Sequence, residues 1–198
     1  MRSVERALER AASDAGRAVE VFRTTDPDVL RGADKVVVPG QGAFRDCTTA
    51  LDRGLGNAVK EAIVKGTPYL GICLGLQVLF ESSAEADGCV GLGILRGKVE
   101  RLTLGTDPFT GAALKIPHMG WNRVLPHGTS LLAREPAYFY FVHSYAVVPA
   151  DPSVVVATTD YGPPFVSAVA KDNVFACQFH PEKSQHDGLA LLRRFIEA

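Results

Sequence analysis

The segment Gly71-Ile72-Cys73-Leu74-Gly75 lies between an apolar run, Pro68-Tyr69-Leu70-Gly71-Ile72, and a helical pattern over residues 74–81. A strand that turns straight into a helix forces its apex residue into strained backbone geometry and needs small neighbours, so that nothing collides there. Gly71 and Gly75 supply that clearance, and the segment predicts a nucleophile elbow with sulfur in place of oxygen. A thiol at a helix N-terminus faces the positive end of the helix dipole, which favours thiolate. The same pattern also fits a free cysteine that packs at the end of a buried strand. Either way a strand, a tight turn and a helix must follow one another, which is the unit from which α/β sheets are built.

At 198 residues the chain suits one domain spanning 1–198, large enough to bury about 70% of its unfolded surface. Its formal charge of −1 and scattered Lys and Arg form no basic stripe, which argues against nucleic-acid binding. The four cysteines, Cys47, Cys73, Cys89 and Cys177, include no Cys-x-x-Cys pair, and a reducing, cytoplasmic setting is expected. No apolar stretch approaches the roughly 20 residues that span a bilayer, so a membrane protein is not expected.

The first two-fifths of the chain alternate helix and strand. Val4, Leu8, Ala11 and Ala12 share a helical face after a Ser3 cap, with Gly16 as the stop. Residues 18–22 read as a short strand, Asp26-Pro27 as a capped helix start, and residues 35–38 as a strand broken by Pro39-Gly40-Gln41-Gly42. A helical stretch closing at Gly66 leads to the strand that delivers Cys73. Short connections between β-branched strands imply a mostly parallel central sheet with helices on both faces. Beyond residue 99 the pattern changes to strands and hairpins (138–148, 154–159, 165–170, 174–179), with Lys171-Asp172-Asn173 as a tight connection. A last helix, 187–196, carries Leu189, Leu192, Phe195 and Ile196 on one face.

His180-Pro181-Glu182 follows the strand 174–179, and residues just past parallel strand ends gather at one sheet edge, where ligands bind. His180 can therefore meet Cys73, take its proton and later protonate a departing amine, while Glu182 holds the far ring nitrogen. Taken alone, His-Pro is equally a turn that ends a strand. An attacked amide also needs donors for its oxyanion. The Leu74 backbone N–H and the loop Pro39-Gly40-Gln41-Gly42 fit that need, although the loop also fits an ordinary turn.

Gly71-Ile72-Cys73-Leu74-Gly75-Leu76-Gln77 and His180-Pro181-Glu182 resemble the triad regions of class I glutamine amidotransferases. Four further blocks, Pro39-Gly40-Gln41-Gly42-Ala43-Phe44, Pro117-His118-Met119-Gly120-Trp121-Asn122, Tyr140-Phe141-Val142-His143-Ser144-Tyr145 and Phe179-His180-Pro181-Glu182-Lys183-Ser184, resemble the branch serving imidazole glycerol phosphate synthase. The resemblance implies a flavodoxin-like sheet. It also implies release of ammonia from L-glutamine through a thioester on Cys73, with His180 as base and acid and Glu182 as orienter. By the same carry-over, Gly40 and Gly42 belong to the oxyanion loop, and Gln77, Ser144 and Tyr145 line the glutamine pocket. Met119, Trp121 and Asn122 face a partner, and Tyr140 and Lys183 lie near the ammonia exit. On physics alone Trp121 and Tyr140 are equally core aromatics, and Lys183 a solvated charge. His118 and His143 lack a third ligand at zinc-like spacing and read as structural; no metal or organic cofactor is expected.

The implied partner is a (β/α)8-barrel cyclase subunit in a heterodimer, supplied with channelled ammonia for L-histidine biosynthesis. The glutaminase subunit of an anthranilate or pyridoxal phosphate synthase, and a non-catalytic docking module, are the alternatives. Relatives begin with a strand and an Asp-Tyr-Gly-x-Gly-Asn turn, both lacking before Arg2-Ser3-Val4-Glu5, so a truncated or miscalled start at Met1 is expected. Restoring a lost inner strand should then raise stability and solubility.

Overall fold

A computed structural model describes residues 2–40, 42–52, 54–103, 105–106, 110–128 and 130–198. In chain order its helices and strands are α1 (Arg2–Asp14), α2 (Pro27–Arg31), β1 (Val36–Gly40), α3 (Phe44–Asp52), α4 (Leu55–Lys65), β2 (Tyr69–Cys73), α5 (Leu74–Gln77) and β3 (Ser82–Ser83). There follow β4 (Gly97–Arg101), β5 (His118–Pro126), β6 (Ala137–His143), β7 (Tyr145–Pro149), β8 (Val155–Asp160), β9 (Pro164–Lys171), β10 (Val174–Cys177) and α6 (Gln185–Glu197). Single 3-10 turns cover Pro152–Val154 and Pro181–Lys183. No helix among the described residues is long and apolar enough to cross a membrane.

The class is α/β, as expected, with a mixed sheet. β2 is flanked by β1 and β10, both parallel to it; β10 then pairs antiparallel with β9, and the sheet continues through β7, β4 and β3. β5 and β6 form an antiparallel hairpin that joins through β8. Asp172, at φ 51°, turns β9 into β10.

Side chains alternate across the central strands with the period of two that a strand imposes. Leu70, Ile72, Phe175 and Cys177 face a core shared with Val4, Leu8 and Ala11 of α1 and Leu191, Leu192 and Phe195 of α6. Tyr69, Val174 and Ala176 face the opposite core with Phe44, Val59, Leu76 and Phe80. Helices thus cover both faces. Asp26 caps α2 as read, its carboxylate accepting from Asp28 N at 2.9 Å.

Three local expectations fail. Ser3 lies inside α1 and does not cap it. Residues 18–22 form no strand: β1 pairs only with β2 among the described residues, so this segment finds no ladder, and Val19 and Phe22 are left exposed. The helix after Cys73 stops at Gln77, one turn long; beyond it the Leu79 and Phe80 N–H groups donate to carbonyls three residues back, and both side chains are wholly buried.

The glycines around Cys73 have a tighter function than side-chain clearance. A Cβ at Gly75 would lie 1.8 Å from Val38 O, and one at Gly71 would lie 2.4 Å from Gly75 O. Gly75→Ala should therefore push β1 off the elbow. A loss of about 2–3 kcal/mol, or a fall in melting temperature of roughly 5–10 °C, is expected by calorimetry. Gly32→Ala, whose new methyl would meet nothing closer than 3.6 Å, should leave the melt nearly unchanged.

Candidate active site

Cys73 closes β2 in register with Gly40 of β1, at φ 55° and ψ −103°. A side chain held in that left-handed region is strained, and the surrounding packing must impose the conformation. The elbow expectation is met. Gly40 is confined just as tightly as Gly75, since a Cβ there would lie 2.1 Å from Leu74 Cβ.

His180 is the third residue after β10, and its N–H donates to Tyr140 O at 2.9 Å. Ser184, which sequence reading did not single out, locks this turn. Its hydroxyl donates to His180 O at 2.6 Å and accepts from Tyr140 N at 3.0 Å. His180 Nδ1 lies 2.9 Å from Glu182 Oε1, with side chains 3% and 1% exposed. A carboxylate only accepts, so Nδ1 carries a proton, and in the neutral ring Nε2 is the nitrogen with the lone pair. Nε2 is buried, with no hydrogen-bond partner among the described residues.

Cys73 and His180 line one cavity of about 390 Å³, together with Gly40, Gly42, Leu74, Gln77, Ser144, Tyr145 and Lys183. Of the residues expected at the triad, oxyanion loop and glutamine pocket, Cys73, His180, Gly40, Gly42, Leu74, Gln77, Ser144 and Tyr145 border this space; Glu182 lies behind His180, Pro39 is not on the wall, and Gln41 lies outside the described residues. Glu85 also lines it and was missed, because a lone Glu in a polar run carries no pattern. Its carboxylate accepts from Phe44 N at 3.0 Å.

The electrostatics correct the expectation of a ready thiolate. Burial pushes the Cys73 thiol up to about 12, with the negative charge of Glu182 adding to it. Hydrogen bonds from Leu74 N–H and Gln178, and the charge of Lys183, act in the opposite direction without overcoming burial. A one-turn helix has little dipole to offer.

His118 and His143 belong to a hydrogen-bonded chain. His143 Nδ1 donates to Tyr145 O at 2.9 Å, so His143 Nε2 must accept from His118 Nδ1 at 3.0 Å, and His118 Nε2 accepts from Asn122 Nδ2 at 3.2 Å. Burial depresses both rings, His143 to about 3 and His118 to about 4, so they stay neutral donors and acceptors. Asn122 also donates to Asp160 O at 2.9 Å and so faces inward, away from Met119 and Trp121, with which it was grouped. Met119, Trp121 and Tyr138 are exposed on the outer face of the β5–β6 hairpin. Tyr140 lies between them and the cavity, its ring 6.2 Å from Trp121 and 5.7 Å from Lys183 Nζ.

The family model of class-I glutamine amidotransferases matches residues 1–198. The imidazole glycerol phosphate synthase subunit HisH of Methylococcus capsulatus is 51% identical, the match covering 99% of this chain and 90% of that protein. The HisH subunit of Dechloromonas aromatica is 49% identical, covering 100% and 91%. Among solved structures, a glutamine amidotransferase superposes with a TM-score of 0.70 at 21% identity, covering 97% of this chain and 92% of that one. The glutaminase domain of Trypanosoma brucei CTPS with bound acivicin gives 0.69 at 20%, covering 98% and 85%. At such identities the structural likeness speaks to the fold.

With its thiol at about 12 and a raised value meaning the neutral form persists to high pH, Cys73 should react slowly with iodoacetamide near pH 7.5 in the free protein. Its rate should still be climbing at pH 10. A plateau by pH 8, followed by mass spectrometry of the labelled peptide, would contradict the burial argument.

Proposed function

Because the chain belongs to the class-I glutamine amidotransferase family, we propose that it is the glutaminase subunit of an imidazole glycerol phosphate synthase. Residues 1–198 act in this reading as one glutamine amidotransferase domain. The observation that carries it is the single cavity bordered by Cys73 and by a histidine whose Glu182 contact leaves Nε2 free to accept a proton.

His180 Nε2 takes the Cys73 proton as the sulfur attacks the side-chain amide carbon of glutamine. The oxyanion that forms draws on Leu74 N–H and the Gly40–Gly42 loop. His180 then gives the proton to the leaving nitrogen, and ammonia departs as the γ-glutamyl thioester forms. Water, activated by the same imidazole, releases glutamate. Burial keeps the sulfur protonated at rest, so proton transfer belongs to the attack itself. Glu85 is the carboxylate on the cavity wall and suits the α-ammonium of the substrate. Ser144 and Tyr145 complete the pocket, as does Gln77, whose Oε1 is buried without a partner among the described residues and can accept from the substrate.

The outer hairpin face supports a (β/α)8-barrel cyclase as partner in a heterodimer. Met119, Trp121 and Tyr138 expose apolar surface next to Tyr140 and Lys183, so the docking face and the cavity mouth adjoin. Ammonia released there has a short path into a subunit seated on the hairpin. A cytoplasmic location fits a biosynthetic subunit of this kind.

A diazo-ketone glutamine analogue should label Cys73 and spare Cys47, Cys89 and Cys177, because only Cys73 combines a substrate pocket with a proton acceptor. Equal labelling of several cysteines would remove the assignment. Cys73→Ser should abolish glutamine-dependent synthesis by the complex and leave ammonium-dependent synthesis by the cyclase nearly intact. Ammonia release, measured for the chain alone, with the cyclase and with the cyclase plus its nucleotide ligand, should rise at each step. Equal rates in the three mixtures would favour a stand-alone glutaminase.

A further inference from the structure

We propose that Gln178 is part of the nucleophile's machinery: its side-chain amide holds the Cys73 sulfur from behind and stabilises the thiolate during attack. The inference rests on reading Cys73 as the nucleophile.

The orientation of the amide follows from a carbonyl that can only accept. Tyr145 O takes a hydrogen bond from Gln77 at 3.1 Å, so the Gln77 group facing it is Nε2. The same Nε2 lies 3.1 Å from the Gln178 amide, which must present its oxygen there. Gln178 Nε2 is thereby turned toward Cys73 Sγ, at 3.4 Å. Flipping Gln77 would set acceptor against acceptor at Tyr145 O, and flipping Gln178 would set donor against donor at Gln77 Nε2. Gln178 is wholly buried and its backbone N–H donates to Ser167 O at 2.9 Å, so the side chain is anchored at both ends. It is absent from the cavity wall, and so it meets the sulfur without meeting the substrate.

The consequence is a division of labour. His180 moves the proton, whereas Gln178 and the Leu74 N–H solvate the charge left on a sulfur that burial has stripped of most of its water. The Gln77 amide couples this to the pocket, since one side chain both borders the cavity and orients Gln178.

The test is iodoacetamide labelling of the full chain between pH 8 and 10, comparing wild type with Gln178→Met and Gln178→Glu, each of similar volume. Losing a hydrogen bond to a charged acceptor lowers the thiolate fraction by about ten- to a hundredfold. The greater nucleophilicity of a more basic thiolate returns part of this, leaving Cys73 at least about threefold slower. Gln178→Glu keeps the acceptor for Gln77 but puts a carboxylate against the sulfur, and should be slower still. Cys89 serves as the internal standard, its rate unchanged while the fold is intact; if the methionine variant unfolds, the glutamate variant decides. Glutamine hydrolysis in the presence of the cyclase should show kcat lowered about tenfold with KM within about twofold, because the lost interaction is with the reacting sulfur. Unchanged Cys73 labelling in a folded variant, or a raised KM with kcat intact, would overturn the proposal. Hydrolysis that survives Cys73→Ala would instead remove the nucleophile assignment, leaving the effect of Gln178 on Cys73 labelling to stand or fall separately.

Discussion

Everything at the site depends on backbones that approach more closely than any side chain permits. Gly75 lies against Val38 O, Gly71 against Gly75 O and Ala176, and Gly40 against Leu74. These contacts clamp the elbow between β1 and β10 and hold Cys73 in a backbone conformation that an L residue adopts at a cost. They also bring two strand ends together, the one that supplies the sulfur and the one that leads to His180. The geometry of the candidate site is a by-product of sheet packing.

That packing creates an electrostatic problem. A buried sulfur on the cavity wall loses most of the water that would solvate its anion, and burial outweighs every nearby donor. The fold answers with directional groups: a histidine oriented by Glu182, a backbone N–H from Leu74, and the Gln178 carboxamide, whose orientation is dictated through Gln77 by the Tyr145 carbonyl. Each is locked before any substrate arrives, so little reorganisation is left for the reaction.

The β5–β6 hairpin shows how one pleated ribbon serves two purposes. On its inner side, His118, Asn122 and His143 form a neutral relay that ends on Tyr145 O, the carbonyl that also orients Gln77. On its outer side, Met119, Trp121 and Tyr138 remain uncovered. The alternation of a strand accounts for the split, and it explains why Asn122 turns inward while Met119 and Trp121 face outward.

The α/β class, the elbow at Cys73, the candidate residues His180 and Glu182 that the structure sets in contact at the cavity Cys73 also lines, and the hairpin-rich second half were legible from residue order, because periodicity and turn chemistry are local. What the sequence could not reveal depended on neighbours distant along the chain. Residues 18–22 have strand chemistry but no ladder beside them; the helix after Cys73 gives way after one turn to tighter turns that bury Leu79 and Phe80. The thiol's protonation reverses the local expectation because solvation is a property of the whole assembled interior. Glu85, Ser184 and Gln178 carry no pattern in isolation, and acquire meaning only when folding sets them against the cavity, the His180 turn and the sulfur. Sequence determined which groups could do chemistry, since composition and spacing are written in it; tertiary structure decided which of them meet, and in what dielectric.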